Sequence, residues 1–259
     1  MKIYSKIALP VLVGMMIVYT SCNKSTLKPA TQTQAVSADV ISSQVALGFT
    51  STLSGGYGGV NLNAGVDSIT LANYQGPQHS TNQDLLCGFF TDTKVNYNTN
   101  SGDTLRSHTA GNLNFYFDCV NGKSTGYTAY DSLTTTGTAP QYTFVYSVKQ
   151  YYQIKSLNQA NTLLFVSGQL TSAVDQNFDK KGVKSIIANS YYVLNNLTVD
   201  LGNKGDIKSG TATFTSNGSN SYGDWKYNGT IIFFGNHKAD ITIDGKVYHA
   251  DLITGKITS

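Results

Sequence analysis

Every acidic residue in this chain is aspartate: its fifteen Asp are accompanied by no Glu, and Arg106 is the one arginine. Glu and Arg are good helix formers, so the absence of one and the near-absence of the other remove the usual material of exposed helix faces. The chain carries 25 Gly and 17 Tyr in 259 residues, with abundant Thr, Asn, Ser and Val. Those residues favour strands and tight turns. The expected class is all-β: a predominantly antiparallel β-sandwich or curved barrel-like sheet, with one short N-terminal helix.

That helix is legible from its spacing. Ile41, Val45, Phe49 and Leu53 recur every four residues, Ser37 stands at the N-cap position and Asp39 lies in the first turn. The run Gly55-Gly56-Tyr57-Gly58-Gly59 ends it. Strands are expected from Val60 onward. Leu113, Phe115 and Phe117 alternate with more polar neighbours. Leu197, Val199 and Leu201 alternate with Thr198 and Asp200 before the turn Gly202-Asn203-Lys204-Gly205. Residues 142–149, 151–157, 163–170, 186–194 and 211–215 also read as strands.

The last hairpin is specified residue by residue. Asp244-Gly245 is a strong two-residue turn signal between two apolar-alternating runs. It sets Ile243 opposite Lys246, Ile241 opposite Tyr248 and Ala239 opposite Ala250 on a core face. The solvated face then pairs Thr242 with Val247, Asp240 with His249 and Lys238 with Asp251. Upstream, Trp225, Tyr227, Ile231 and Phe233 share one side of the preceding strand.

The N-terminus gives the chain an address. Lys2 and Lys6 precede an apolar run over residues 7–18, which Tyr19-Thr20-Ser21-Cys22 closes. Twelve such residues are too few to span a hydrocarbon core of ~30 Å but suit the core of a signal peptide. The segment resembles the signal peptide and lipobox of bacterial lipoproteins. The resemblance implies cleavage before Cys22, acylation of its sulfur and a lipid bilayer as the first partner. Several acyl chains together hold a protein at a membrane, where one holds only marginally. Asn23, in place of Asp, favours the outer membrane of a Gram-negative cell, with the periplasmic leaflet ahead of the cell surface.

This divides the chain into a signal peptide (1–21), a lipidated Cys with a flexible polar tether (22–36) and a single β-rich domain (37–259). Fourteen tether residues give a reach of ~20 Å. Without Lys2 and Lys6, the 18 Lys and Arg fall to 16 against 15 Asp. A balance so near neutral argues against nucleic acid as a partner. In an exported protein, Cys87 and Cys119 are expected to form a disulfide, because antiparallel pairing sets the start of one strand beside the end of the other.

The catalytic motifs are weak. Gly122-Lys123-Ser124-Thr125 has the ending of a phosphate-binding loop, but Phe117 stands where its first Gly belongs and no helix is expected to follow. The same stretch satisfies Gly-x-Ser-x-Gly, and Ser124, His249 and Asp240 complete a triad on paper only, because no α/β alternation surrounds it. His79, His108, His237 and His249 lack metal-site spacing, so no metal and no cofactor is expected. Asp92 and Asp118 are one arbitrary carboxylate pair among many.

The sequence reading is therefore non-catalytic: an envelope lipoprotein whose β domain acts by binding or structural contact. Trp225, Tyr222, Tyr57 and Tyr127 are its candidate ligand or partner contacts, facing a glycan or an envelope protein. The alternatives are a carrier cupping an apolar ligand in its curved sheet and an Asp-dependent hydrolase.

Overall fold

Strands of up to 17 residues dominate the computed structural model, which describes residues 36–64, 90–102, 104–179 and 185–258. In chain order they are β1 (Phe90–Asn100), β2 (Arg106–Val120), β3 (Lys123–Ala139), β4 (Tyr142–Ser156), β5 (Leu163–Phe178) and β6 (Ile186–Asp200). Then come β7 (Asp206–Asn220), β8 (Gly223–Gly235), β9 (Lys238–Ile243), β10 (Lys246–Asp251) and β11 (Ile257–Thr258). They form a single antiparallel sheet in sequence order, open between β1 and β11. The all-β class holds in its curved single-sheet form; the sandwich alternative does not.

The strands are longer than the local alternation indicated. The expected strands 142–149 and 151–157 merge, up to Ser156, into the continuous β4, and residues 186–194 join Leu197 and Val199 in β6. At ~3.3 Å per residue, a 15-residue strand runs about 50 Å.

One face of the sheet is covered by the chain's own N-terminal segment. Helix α1 (Ala38–Leu53) buries Ile41, Val45, Phe49 and Leu53, the four positions its spacing singled out. The Phe49 ring lies 5.3 Å from Tyr192 of β6 and 5.3 Å from Phe233 of β8, centroid to centroid. Ser43 and Thr50 donate to the carbonyls of Gly255 and Leu252, which ties the helix to the C-terminal turn. Ser37 occupies the N-cap position without a side-chain cap bond to the backbone; its hydroxyl pairs with the Asp39 carboxylate and holds it below the usual range. Val36, placed by the sequence in the tether, is already buried, and its N–H donates to the backbone carbonyl of Asp224 in β8.

The last hairpin has the expected register at all six pairs, from Ile243–Lys246 to Lys238–Asp251. Asp244 and Gly245 adopt φ of 50° and 78°, the two positive values that a type I′ turn requires. Ile241, Ile243, Tyr248, Ala239 and Ala250 face the core. On the outer face Lys238 meets Asp251 at 2.5 Å, and His249 Nδ1 lies 2.6 Å from Asp240.

Candidate functional site

Beyond α1, residues 54–61 form a loop closed by a bridge between Ser54 and Asn61 and laid onto the inner face of β2–β4. Two side chains from the sheet hold it there. Asp131 of β3 stands directly opposite Gln150 of β4, and both are buried. The Val60 N–H donates to Gln150 Oε1 at 2.7 Å and to Asp131 Oδ2 at 3.1 Å. Gln150 Nε2 in turn donates to the Thr52 carbonyl at 3.0 Å and the Tyr152 hydroxyl at 3.1 Å. Gly59 has to be glycine here, since a Cβ would collide with Gln150 Oε1.

The cluster is not fully satisfied. Asp131 Oδ1 and the Tyr127 hydroxyl are buried with no hydrogen-bond partner among the described residues. Burial pushes the Asp131 carboxyl up to about 7, while the backbone N–H groups of Val60 and Gln150 pull the other way. Burial likewise lifts the Tyr127 and Tyr152 hydroxyls above their ordinary range. The arrangement fastens a segment across the sheet and leaves no access for solvent or substrate.

The accessible chemistry lies on the other face. Tyr130 of β3 stands opposite Tyr151 of β4, and Tyr116 of β2 sits diagonally beside Tyr130, two residues beyond its partner Asn114. These rings are 51% (Tyr116), 47% (Tyr130) and 43% (Tyr151) exposed. Opposed side chains in an antiparallel sheet lie ~5 Å apart at Cβ and diagonal ones ~7–8 Å, so the three rings make one continuous patch. Gln153 Nε2 donates to the Tyr151 hydroxyl at 3.3 Å. The patch runs into an open cleft of about 650 Å³ bordered by Tyr116, Asp118, Thr125, Lys155 and Ser156.

Three of the four aromatic contacts expected from sequence belong instead to the core. Trp225 is 5% exposed, and its indole N–H donates to Ser216 Oγ at 3.2 Å. Tyr127 is 1% exposed and packs between Phe115 and Phe117, at 5.8 and 6.0 Å. Tyr57, within the 54–61 loop, is buried against the sheet, 5.2 Å from the Tyr146 ring. Of the four, only Tyr222, in the turn between β7 and β8, is exposed. The physical reason is parity: Trp225 shares its strand face with Ile231 and Phe233, and Tyr127 shares one with Ala129 and Leu133. Opposite parity was the available signal for Tyr116, Tyr130 and Tyr151.

The motif residues are not brought together. Ser124 is buried on β3, separated by five strands from β9 and its Asp240–His249 pair, and a strand, not a helix, follows it. Asn121-Gly122, with φ of 52° and 77°, is the turn of the β2–β3 hairpin. Asp92 faces Asn114, four residues along β2 from Asp118. His108 Nδ1 lies 3.0 Å from Asn98 Oδ1, and the described residues contain no group of three potential metal ligands.

Cys119 is not a free thiol; Cys22 and Cys87 lie outside the described residues. No described helix is long and apolar enough to cross a membrane. Comparison with known proteins finds no matching family model, no matching curated protein and no matching solved structure.

Proposed function

We propose that the chain is a lipoprotein of the bacterial outer membrane, anchored through acylated Cys22, whose β domain works by binding or structural contact rather than catalysis. The observation that carries the binding role is the patch of Tyr116, Tyr130 and Tyr151, three accessible rings on adjacent strands of one sheet. The opposite face is closed by α1 and the 54–61 loop, which argues against a sheet that cups an apolar ligand. The address rests on the signal peptide and lipobox resemblance. Its test is fractionation of cells producing the full chain. The native protein is expected in the membrane pellet and Cys22→Ser in the soluble fraction; a native protein that is itself soluble contradicts the anchor.

The domain is also proposed to be stapled by a disulfide between Cys87 and Cys119. Cys119 lies on β2 three residues beyond Tyr116, the partner of Phe90, and is not a free thiol. A loop of that length stabilises by roughly 3–4 kcal/mol on the chain-entropy model. Cys119→Ser is expected to lower stability by that order and to leave one thiol that reacts with iodoacetamide only after unfolding. Two reactive thiols in the unfolded, unreduced native protein would refute the pairing.

A further inference from the structure

We propose that the outer face of β2–β4 is a stacking platform for an uncharged polysaccharide, a reading that deepens the binding role above and rests on it. The platform's rings are all tyrosine, so each pairs an apolar face with a hydroxyl. The outward residues of β3 from position 128 to 136 are Thr128, Tyr130, Ser132, Thr134 and Thr136, without one charge among them. Asn114, Gln153 and Gln169 extend the same uncharged surface onto β2, β4 and β5. The same rows carry Asp92 and Lys94 of β1 and Lys149 of β4, and the cleft adds Asp118 and Lys155, so the charges bordering the tyrosines are of both signs and form no basic cluster.

That chemistry selects its occupant. A nucleic acid or anionic lipid surface calls for clustered Lys and Arg, which the patch lacks. A protein-binding hot spot calls for anchors that fill fully desolvated pockets, whereas these rings stand on an open sheet. Sugar rings present C–H faces to aromatic rings, and their hydroxyls suit a lawn of Thr, Ser, Asn and Gln. The sheet fixes the backbone of all three tyrosines before binding, so little ordering cost falls on the protein. Three rings spread over three adjacent strands suit a chain of sugars rather than a single one.

The test uses the full, detergent-solubilised chain in affinity gels containing mixed-linkage β-glucan, xylan, mannan or starch, with polygalacturonate as the anionic comparison. The native protein is expected to be retarded by at least one neutral polymer. The double variant Tyr130→Ala/Tyr151→Ala is expected to bind at least tenfold more weakly with an unchanged melting temperature, and the Tyr→Phe pair to keep most of the binding. No retardation by any neutral polymer, or retardation that the alanine pair leaves intact, overturns the proposal. If the same alanine pair instead abolishes sedimentation with anionic phospholipid vesicles or capture by an envelope protein, the glycan is wrong and the binding role stands. If the pair changes none of these, both fail.

Discussion

Raising the pH from 4 to 8 is expected to cost this protein up to about 4 kcal/mol of folding stability, and Asp131→Asn to abolish that loss. The sign follows from where Asp131 holds its proton. In the unfolded chain an aspartate titrates near ~3.9; in the fold, burial pushes Asp131 up to about 7. Below pH 4 both states carry the proton and the fold has its full stability. Between the two values only the fold carries it, so each unit of rising pH removes about 1.4 kcal/mol until the buried carboxyl ionises too. Tyr152 and Tyr127, the titratable groups beside it, stay neutral throughout. Asp251 does not mask the effect: burial raises it, but Lys238 and the N–H groups of Thr254 and Ile253 draw it down to about 2, so its own transition lies at lower pH. Urea midpoints across this range are the measurement. The amide introduced by Asp131→Asn still offers an oxygen to Val60 and carries no titration. A native protein equally stable at pH 4 and 8, or a variant that keeps the slope, contradicts the role given to this group.

Asp206→Ala is expected to cost about 2–4 kcal/mol, although Asp206 forms no part of any site. Its carboxylate is 2% exposed and accepts from the backbone N–H of Asn236 at 2.8 Å and of His237 at 2.7 Å. Those two residues make the β8–β9 turn, each at φ of 54°, a conformation that neither adopts without cost. Removing the carboxylate strands both donors and frees the turn to open. The loss spreads because Phe233 of β8, just before that turn, stacks on Phe49 and so carries α1. Denaturant unfolding should show the lower stability; a loss below about 1 kcal/mol would mean that the turn holds itself.

The last hairpin and α1 were legible because each is set by local chemistry. A two-residue turn of fixed handedness imposes register on everything beside it, and a four-residue apolar spacing imposes a helix face. Strand length was less legible because the inner face is interrupted by polar residues. Gln150 and Asp131 point inward among apolar neighbours and so break the alternation that marks a strand. Their reason for being there is Val60, ninety residues before Gln150 in the chain. No local pattern carries a contact of that range. The same limit applied to Tyr57: the glycines around it mark the end of a helix, and also the close approach of a loop to the sheet. For Trp225 the information was present, since its parity with Ile231 and Phe233 already turned it inward.

The address is tested most directly by the intact mass of the full-length protein recovered from membranes. A chain beginning at Cys22 and carrying a diacylglyceryl group is the expected result; retention of residues 1–21, or a Cys22 without lipid, would contradict it.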